Sequence, residues 1–276
     1  MIALNRIRDK GAIPAKYRGK LKQNAELALL KSCRKSLDGT GQKIAFNQAY
    51  WKAAKDQLLI ESNFKCAYCE ANTKVVAHGD VEHYRPKSIY WWLAYTYDNY
   101  LYVCQICNQI YKSDNFPGIG TKWKGPRVLA TSTDAELEAL LDEISPDPLV
   151  IDTGYTLDKY LKTHKNEKAS LVNPYLANPE KYFAYEADDV TREVTVKPSK
   201  PMYKRYFEAS RDYYGINRVE LKTVRYQVYK AFKALKAALR VMPDGLEKDE
   251  VADQVAFMMA DEYLFAGMNR YFNTRL

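Results

Sequence analysis

Cys66-Ala67-Tyr68-Cys69 and Cys104-Gln105-Ile106-Cys107 decide the fold of this chain. Two thiols at this spacing can chelate one metal ion from a tight turn, and two such turns complete a tetrahedral four-thiolate site. Redox chemistry is the alternative for a single Cys-x-x-Cys pair, but neither pair lies in a thioredoxin-like strand–turn–helix sequence. We therefore predict a structural zinc ion bound by Cys66, Cys69, Cys104 and Cys107. Because four thiolates leave no ligand position for water, this zinc is not the catalyst.

The segment between the cysteine pairs concentrates side chains that can do chemistry. It contains Glu82-His83-Tyr84-Arg85-Pro86-Lys87 and Asp98-Asn99, and Asn108 directly follows the second pair. Each of these residues alone is more often structural, but their order inside a zinc-stapled loop is a rare combination. A neutral imidazole has a pKa near the working pH and can take a proton from water. His83 is therefore a candidate general base.

These residues resemble the HNH nuclease motif, a strand–strand–helix fold around one divalent ion. The resemblance covers about residues 64–117. It implies that His83 is the catalytic base and that Glu82 and Asn108 are ligands of a catalytic metal. It also implies that Asn99 holds the loop and orients His83. Two oxygen donors, completed by water and phosphate, suit Mg²⁺ or Mn²⁺ better than zinc.

The chain departs from many HNH proteins at two positions. Glu82 stands where Asp is usual and Asn108 where a final His is usual, and both variants keep an oxygen donor. Asp114 and Asn115 lie close by in sequence, so Asn115 competes with Asn108 as the metal ligand. Alternation along a strand would send Glu82 and His83 to opposite faces, so a bulge or a strand end must bring both to the site.

Basic residues near the motif are candidates for contact with a substrate. We predict that Arg85, Lys87 and Lys112 bind substrate phosphates. The alternative for Arg85 is an ion pair with a local acid. Nothing in the sequence supports a catalytic role for His78, and His164 lies outside the motif and is expected to be structural or exposed.

A longer series of motifs resembles one group of HNH proteins in particular. It starts at Trp51 and Lys55 and continues through Leu171-Val172-Asn173-Pro174, Asn178-Pro179-Glu180 and Gly215-Ile216-Asn217-Arg218. The series looks like the HNH component of Septu-type antiphage defence systems, which also occurs in some retrons. That resemblance implies a bacterial or archaeal source and an ABC-type, SMC-like ATPase partner encoded alongside.

The expected fold class is α+β and mostly helical, with a zinc-stapled ββα-metal module of the HNH type embedded in a helical body. We divide the chain into an N-terminal helical region, this module, a connector with a short helix and a hairpin, and a C-terminal helical region. Their boundaries are residues 1–63, 64–117, 118–200 and 201–276.

Local patterns in the first half predict individual helices. Trp51, Ala54 and Leu58 mark one face of a helix that begins after Asn47. Thr133-Asp134-Ala135-Glu136 is typical of a capping box at a helix start.

Local patterns in the second half predict a hairpin and further helices. The hairpin is expected within residues 182–198, where Val190, Val194 and Val196 alternate. A last helix is expected at about 248–272. A long helix before it is expected to bury a stripe of six residues: Leu221, Val224, Val228, Ala231, Leu235 and Ala238.

Composition limits the partners and the compartment. The 276 residues carry 42 Lys and Arg against 34 Asp and Glu, a net charge of +8. This balance suits a polyanion such as DNA or RNA, although a basic surface without a special partner explains it equally well. No stretch is apolar enough to span a bilayer, and no signal peptide is recognisable, so we expect a cytoplasmic protein. Disulfides are rare there, and Cys33 is expected to be a small buried hydrophobe.

The sequence is compatible with three alternative functions. A non-catalytic zinc module that only binds nucleic acid would explain the cysteines and the charge, but not Glu82-His83 together with Asn99 and Asn108. A ribonuclease, such as one that cuts tRNA, could use the same site, because the motif carries no sugar preference. An HNH enzyme without an ATPase partner is the third alternative.

Overall fold

The computed structural model describes residues 1–73, 77–149 and 156–276. About half of these described residues are helical, and they include two small antiparallel sheets, which fits the expected mostly helical α+β class. The α-helices are α1 (Gly19–Ser36), α2 (Gln48–Lys52), α3 (Lys55–Glu61), α4 (Asp134–Ala139), α5 (Leu141–Ile144), α6 (Leu157–Glu167), α7 (Lys204–Tyr214), α8 (Val219–Val241), α9 (Leu246–Phe257) and α10 (Ala266–Asn273). The strands are β1 (Asp80–His83), β2 (Tyr100–Val103), β3 (Phe183–Asp188) and β4 (Glu193–Pro198). None of the described helices has the length and apolarity needed to cross a membrane.

The sheet of β1 and β2 carries the candidate site. The strands are antiparallel, with Glu82 opposite Leu101 and His83 opposite Tyr100. β2 leads through Cys104 into a π-helix that spans Ile106–Lys112. Strand, strand and helix therefore follow one another between and around the two cysteine pairs. π-Helical turns occur frequently at functional sites.

The N-terminal helices pack against this sheet. Asn47 caps α2, since its Oδ1 accepts the N–H of Ala49 at 3.0 Å. The single helix expected after Asn47 is interrupted, because α2 ends at Lys52 and α3 begins at Lys55. The expected face is nevertheless buried, with Trp51, Ala54 and Leu58 all in the core. Cys33, near the end of α1, is buried as expected.

Two further local expectations concern a helix start and a hairpin. The capping box at the start of α4 is confirmed, with Thr133 and Glu136 exchanging hydrogen bonds. The hairpin is confirmed as β3 and β4, in which Val194 and Val196 are buried. Val190 was wrongly included in that pattern, because it lies in the turn and is 91% exposed.

The C-terminal helices depart from the simple periodic expectation. α8 buries Leu221, Arg225 and Phe232, whereas Val224 and Ala231 are exposed. The buried face is rotated because aromatic and arginine side chains, which a purely aliphatic pattern omits, make the core contacts. The expected last helix is two helices, α9 and α10, separated by a turn.

The main core crosses the boundaries that divide the chain in the sequence. It joins residues near the N-terminus, the cysteine turns and the C-terminal helices, including Ile2, Cys66, Val103, Leu171 and Phe272. The four-region division stays a prediction. The continuous core shows that the cysteine turns and the C-terminal helices pack on each other.

Candidate metal centre and adjoining cleft

The four cysteines come together from two turns. Cys66 and Cys69 lie in the turn after α3, where the N–H of Cys66 donates to the carbonyl oxygen of Ala71 at 2.9 Å. Cys104 follows β2, and Cys107 lies in the first turn of the π-helix. The four Sγ atoms lie within 4.8 Å of one another, all four side chains are buried, and none forms a disulfide.

This cluster fits a tetrahedral metal ion. Zn–S bonds of about 2.3 Å place the sulfurs of a four-thiolate site about 3.8 Å apart, within the observed spread. The buried cysteines therefore form a centre that can bind a metal such as zinc. Across residues 1–73, 77–149 and 156–276, no other group of three or more His, Cys, Asp or Glu side chains is close enough to share one ion.

Arg218 contacts the cysteine cluster from the C-terminal region. Its Nη1 lies 3.4 Å from the Sγ of Cys107, and its Nη2 lies 3.7 Å from the Sγ of Cys69. Hydrogen bonds from Cys104 and Cys107, with the charge of Arg218 adding to them, lower the pKa of the Cys69 thiol. A guanidinium shared between two sulfurs stabilises the thiolate form that binds metal.

His83 ends β1 with its ring buried among aromatic side chains. Its centroid lies 5.0 Å from that of Trp51 and 5.1 Å from that of Tyr100, both edge to face. Nε2 lies 3.0 Å from the carbonyl oxygen of Ala94. Because a carbonyl oxygen only accepts, Nε2 carries the proton of the neutral ring and Nδ1 keeps its lone pair. Burial lowers the pKa of His83 to about 3, well below the ordinary value expected from the sequence.

Glu82 is also buried and is paired with Lys112. The Lys112 ammonium forms an ion pair with Oε1 of Glu82 and donates to the carbonyl oxygen of His83 at 3.0 Å. Burial raises the pKa of Glu82, and Lys112 opposes that rise. The pairing of β1 contains no bulge through Glu82 and His83. The end of the strand, rather than a bulge, therefore lets both side chains reach one cleft.

Asp80 and Asn108 meet on the Glu82 side of the strand. Asp80 lies two residues before Glu82, so both side chains share one face of β1. Oδ2 of Asp80 accepts hydrogen bonds from Nδ2 of Asn108 at 3.0 Å and from Nε2 of Gln109 at 2.9 Å. These contacts turn the amide nitrogen of Asn108 toward Asp80 and leave its Oδ1 for another partner.

A cleft of about 640 Å³ lies between the α2–α3 segment and the unit of β1 and the π-helix. Four residues expected in the site line it: Glu82, His83, Lys87 and Asn108. Asn108 thus lines the cleft, whereas Asn115 donates to the carbonyl oxygen of Lys112 at 3.0 Å and is not among the lining residues.

Asn99 lies behind the cleft and is fully buried. Its Oδ1 accepts the N–H of Arg85 at 2.9 Å, and its Nδ2 donates to the carbonyl oxygens of Arg85 at 3.0 Å and Leu93 at 3.4 Å. Asn99 therefore ties the end of β1 to the loop that carries Ala94, the hydrogen-bond partner of His83. This geometry suits the loop-holding role that the resemblance implied.

Arg85 and Lys112 lie inside the protein rather than at the cleft surface. The Nε of Arg85 donates to Glu167 at 2.6 Å, and its Nη2 lies 3.1 Å from Nδ1 of His164. Both Arg85 and Lys112 have side chains that are 0% exposed. In this arrangement neither cation is open to a substrate phosphate, and Arg85 has the acidic partner of its alternative interpretation. His164 is half-buried.

The cleft also contains residues that the sequence did not assign to the site. Asp80, Lys52 and Lys55 line it, as does the exposed His78, for which the sequence supported no catalytic role. The alternation of side chains along β1 could have revealed Asp80, which shares a face with Glu82. Arg218 ends the Gly215-Ile216-Asn217-Arg218 motif, but nothing in the sequence linked it to the cysteines.

Comparison with known proteins gives a partial match. The chain is 31% identical over 101 residues to the Septu protein PtuB of Bacillus mycoides (strain KBAB4). The match covers 32% of this chain and 34% of that protein, so the chain spans about a third of the length of this relative. No protein-family model and no solved structure matches the chain. This similarity relates part of the chain to a Septu protein.

Proposed function

We propose that this chain is a metal-dependent HNH endonuclease that hydrolyses phosphodiester bonds, with DNA as its main substrate. His83 carries the proposal. Its Nε2 is bound to the Ala94 carbonyl, its Nδ1 keeps a lone pair, and the residue lines a cleft. A positioned neutral imidazole of this kind can accept the proton of a water molecule that attacks phosphorus.

The supporting residues act on His83 through the backbone. Asn99 donates to the carbonyl of Leu93 in the loop that carries the Ala94 carbonyl, which in turn holds the imidazole in one tautomer. The hydroxyl of Tyr100 donates to the same carbonyl oxygen at 2.6 Å. The low pKa keeps the ring neutral, so its lone pair is available throughout the physiological pH range.

The cleft offers oxygen donors for a divalent cation. We propose that Glu82 and Asn108 would hold Mg²⁺ or Mn²⁺, with water and substrate phosphate as the remaining ligands. Lys112 pairs with Oε1 of Glu82, and Glu82 lines the cleft. When bound, the cation would neutralise charge on the phosphate and favour deprotonation of the attacking water, which offsets the weak basicity of His83.

The cysteine cluster has a separate, structural role in this proposal. Zinc on Cys66, Cys69, Cys104 and Cys107 would join the turn before β1 to the start of the π-helix that carries Asn108. It would thereby fix the distance between the two sides of the cleft, while its four thiolates leave no position for water.

The setting that we propose is antiphage defence with an ABC-type ATPase partner. The similarity to a Septu protein supports the defence role. We assign contact with the partner to the C-terminal helices α7–α10, which contribute no residue to the lining of the cleft. Co-expression with the neighbouring gene product and pull-down would test the partner, and failure to associate would place this chain among HNH enzymes that act alone.

The decisive test of activity is a panel of DNA and RNA substrates with Mg²⁺ or Mn²⁺, with and without the ATPase. Cleavage of DNA is the expected result. Cleavage of RNA alone would favour the ribonuclease alternative. Binding without cleavage under every condition would favour the non-catalytic zinc module.

A further inference from the structure

The cleft beside His83 has two sides of opposite charge. The α2–α3 side contributes Lys52 at the end of α2 and Lys55 at the start of α3. The opposite side contributes the carboxylates of Asp80 and Asp114. His83, at the end of β1, lies where the two sides meet.

Three lysines that line the cleft have no acidic partner among the described residues. Within the described part of the chain, Lys52, Lys55 and Lys87 form no ion pair, whereas buried Lys112 is paired with Glu82. Lys87 is held instead over the ring of Trp51, with its Nζ 5.5 Å from the centroid. An indole face attracts an ammonium but carries no negative charge, so Trp51 does not replace an acidic partner for Lys87.

Trp51 connects this cation to the candidate base. The same indole that holds Lys87 packs edge to face against His83 at 5.0 Å. Trp51 belongs to α2, so the helix that carries Lys52 also fixes the position of Lys87 relative to the imidazole. Three positive charges are thereby placed in the cleft that His83 lines.

We propose that Lys52, Lys55 and Lys87 form a surface that binds the phosphate backbone of a nucleic acid. The nucleic acid runs along the α2–α3 side of the cleft. This inference rests on the proposed nuclease function and names the residues that position its substrate. The phosphates of the nucleic acid strand lie against the lysines, and the scissile phosphate faces the carboxylate side of the cleft beside His83. The surface reads phosphates and no bases, so DNA and RNA share this chemistry.

The test measures binding in the absence of cleavage. Labelled duplexes of DNA and of RNA are titrated with the protein in buffer without added divalent cation, and anisotropy is recorded at several salt concentrations. The variant carries Lys52→Gln, Lys55→Gln and Lys87→Gln together. The matched control carries Lys35→Gln, Lys181→Gln and Lys200→Gln, which replace three exposed lysines that do not line the cleft.

The cleft variant is expected to bind at least tenfold more weakly than wild type at about 0.1 M salt. The slope of log affinity against log salt should shrink by about 2.7 for duplex DNA, because each lost phosphate contact removes about 0.9. The control should keep most of its affinity. If wild type binds both duplexes and the two triple variants bind equally well, this surface is not the binding site, although the nuclease proposal survives. If wild type binds neither duplex at low salt, both proposals fail.

Discussion

The Nε2 of His83 lies 3.0 Å from the carbonyl oxygen of Ala94. This contact fixes which nitrogen carries the proton, and it fixes the ring in a cage that includes Trp51 and Tyr100. The remaining nitrogen, Nδ1, is the group on which the proposed hydrolysis depends. The surrounding residues contribute by holding this arrangement, and each contribution can be measured separately.

The metal content of the protein tests the cysteine cluster. We expect about one zinc per chain in wild type, and loss of that zinc in Cys66→Ser and Cys107→Ser. Both variants should aggregate or unfold, because the zinc-binding free energy contributes directly to folding. Elemental analysis of purified protein measures the ratio, with Cys33→Ser as the control that keeps zinc. Well-folded wild type without a bound metal would refute the assignment.

Arg218 should increase the affinity of the cysteine cluster for zinc. Arg218→Met removes both N–H contacts to sulfur, and we expect metal affinity to fall by about 10–100-fold, the usual effect of losing a partner that contacts the ligands. Arg218→Lys keeps the charge and should restore part of the affinity. Competition with a chromogenic chelator measures the change, and Co²⁺-substituted protein reports the sulfur-to-metal absorption band. Arg240→Met, at an exposed position near the end of α8, is the control. Equal affinity in all four proteins would mean that the sulfur contacts are incidental.

The ion pair between Glu82 and Lys112 should show strong coupling in stability. Lys112→Met leaves a buried carboxylate without its partner and is expected to cost about 3–5 kcal/mol in the free energy of unfolding. The double variant Lys112→Met, Glu82→Gln should recover much of this loss, because it removes both charges. Urea denaturation of wild type, of Lys112→Met, of Glu82→Gln and of the double variant measures the coupling energy.

A surface pair provides the comparison for that cycle. Lys204 and Glu208 have side chains that are 72% and 42% exposed, so Lys204→Met should cost about 1 kcal/mol or less. A loss for Lys112→Met no larger than this would show that Lys112 is not buried against Glu82 in solution.

His164 should make the fold sensitive to acid. Burial, with the charge of Arg85 adding to it, lowers the pKa of His164 to about 3. The unfolded chain binds this proton near pH 6.5, whereas the folded protein does not, so the stability is fully present above about pH 6.5 and is lost as pH falls toward 3. Between pH 7 and 5, wild type should lose up to about 2 kcal/mol more than His164→Gln. Urea denaturation at the two pH values decides this, and parallel losses in both proteins would contradict the pKa shift.

The sequence predicted those features that depend on local spacing. The cysteine pairs, the start of a helix after Asn47, the capping box at Thr133 and the β3–β4 hairpin follow from neighbouring residues, and the structure contains all of them. The buried face of α8 could not be predicted in the same way. Its orientation depends on Arg225 and on aromatic residues that contact distant parts of the core.

The candidate site shows the same division between local and long-range information. The sequence brought Glu82, His83 and Asn108 into one hypothesis, and these residues line one cleft. It assigned Arg85 to the substrate because Glu167, its partner, lies far away along the chain. A contact between residues that are distant in sequence, such as this one, cannot be predicted from one amino-acid sequence alone.

The cleavage rate of His83 variants tests the central claim most directly. Wild type, His83→Ala and His83→Gln are compared in single-turnover cleavage with Mg²⁺ or Mn²⁺, at matched zinc content and after a check of folding by circular dichroism. His78→Ala, an exposed residue at the cleft, is the control. Both His83 variants should keep zinc, bind nucleic acid and cut about 10²–10⁴-fold more slowly, whereas the control stays near wild type. A His83 variant that cuts at the wild-type rate would contradict the account, and the base would have to be sought elsewhere.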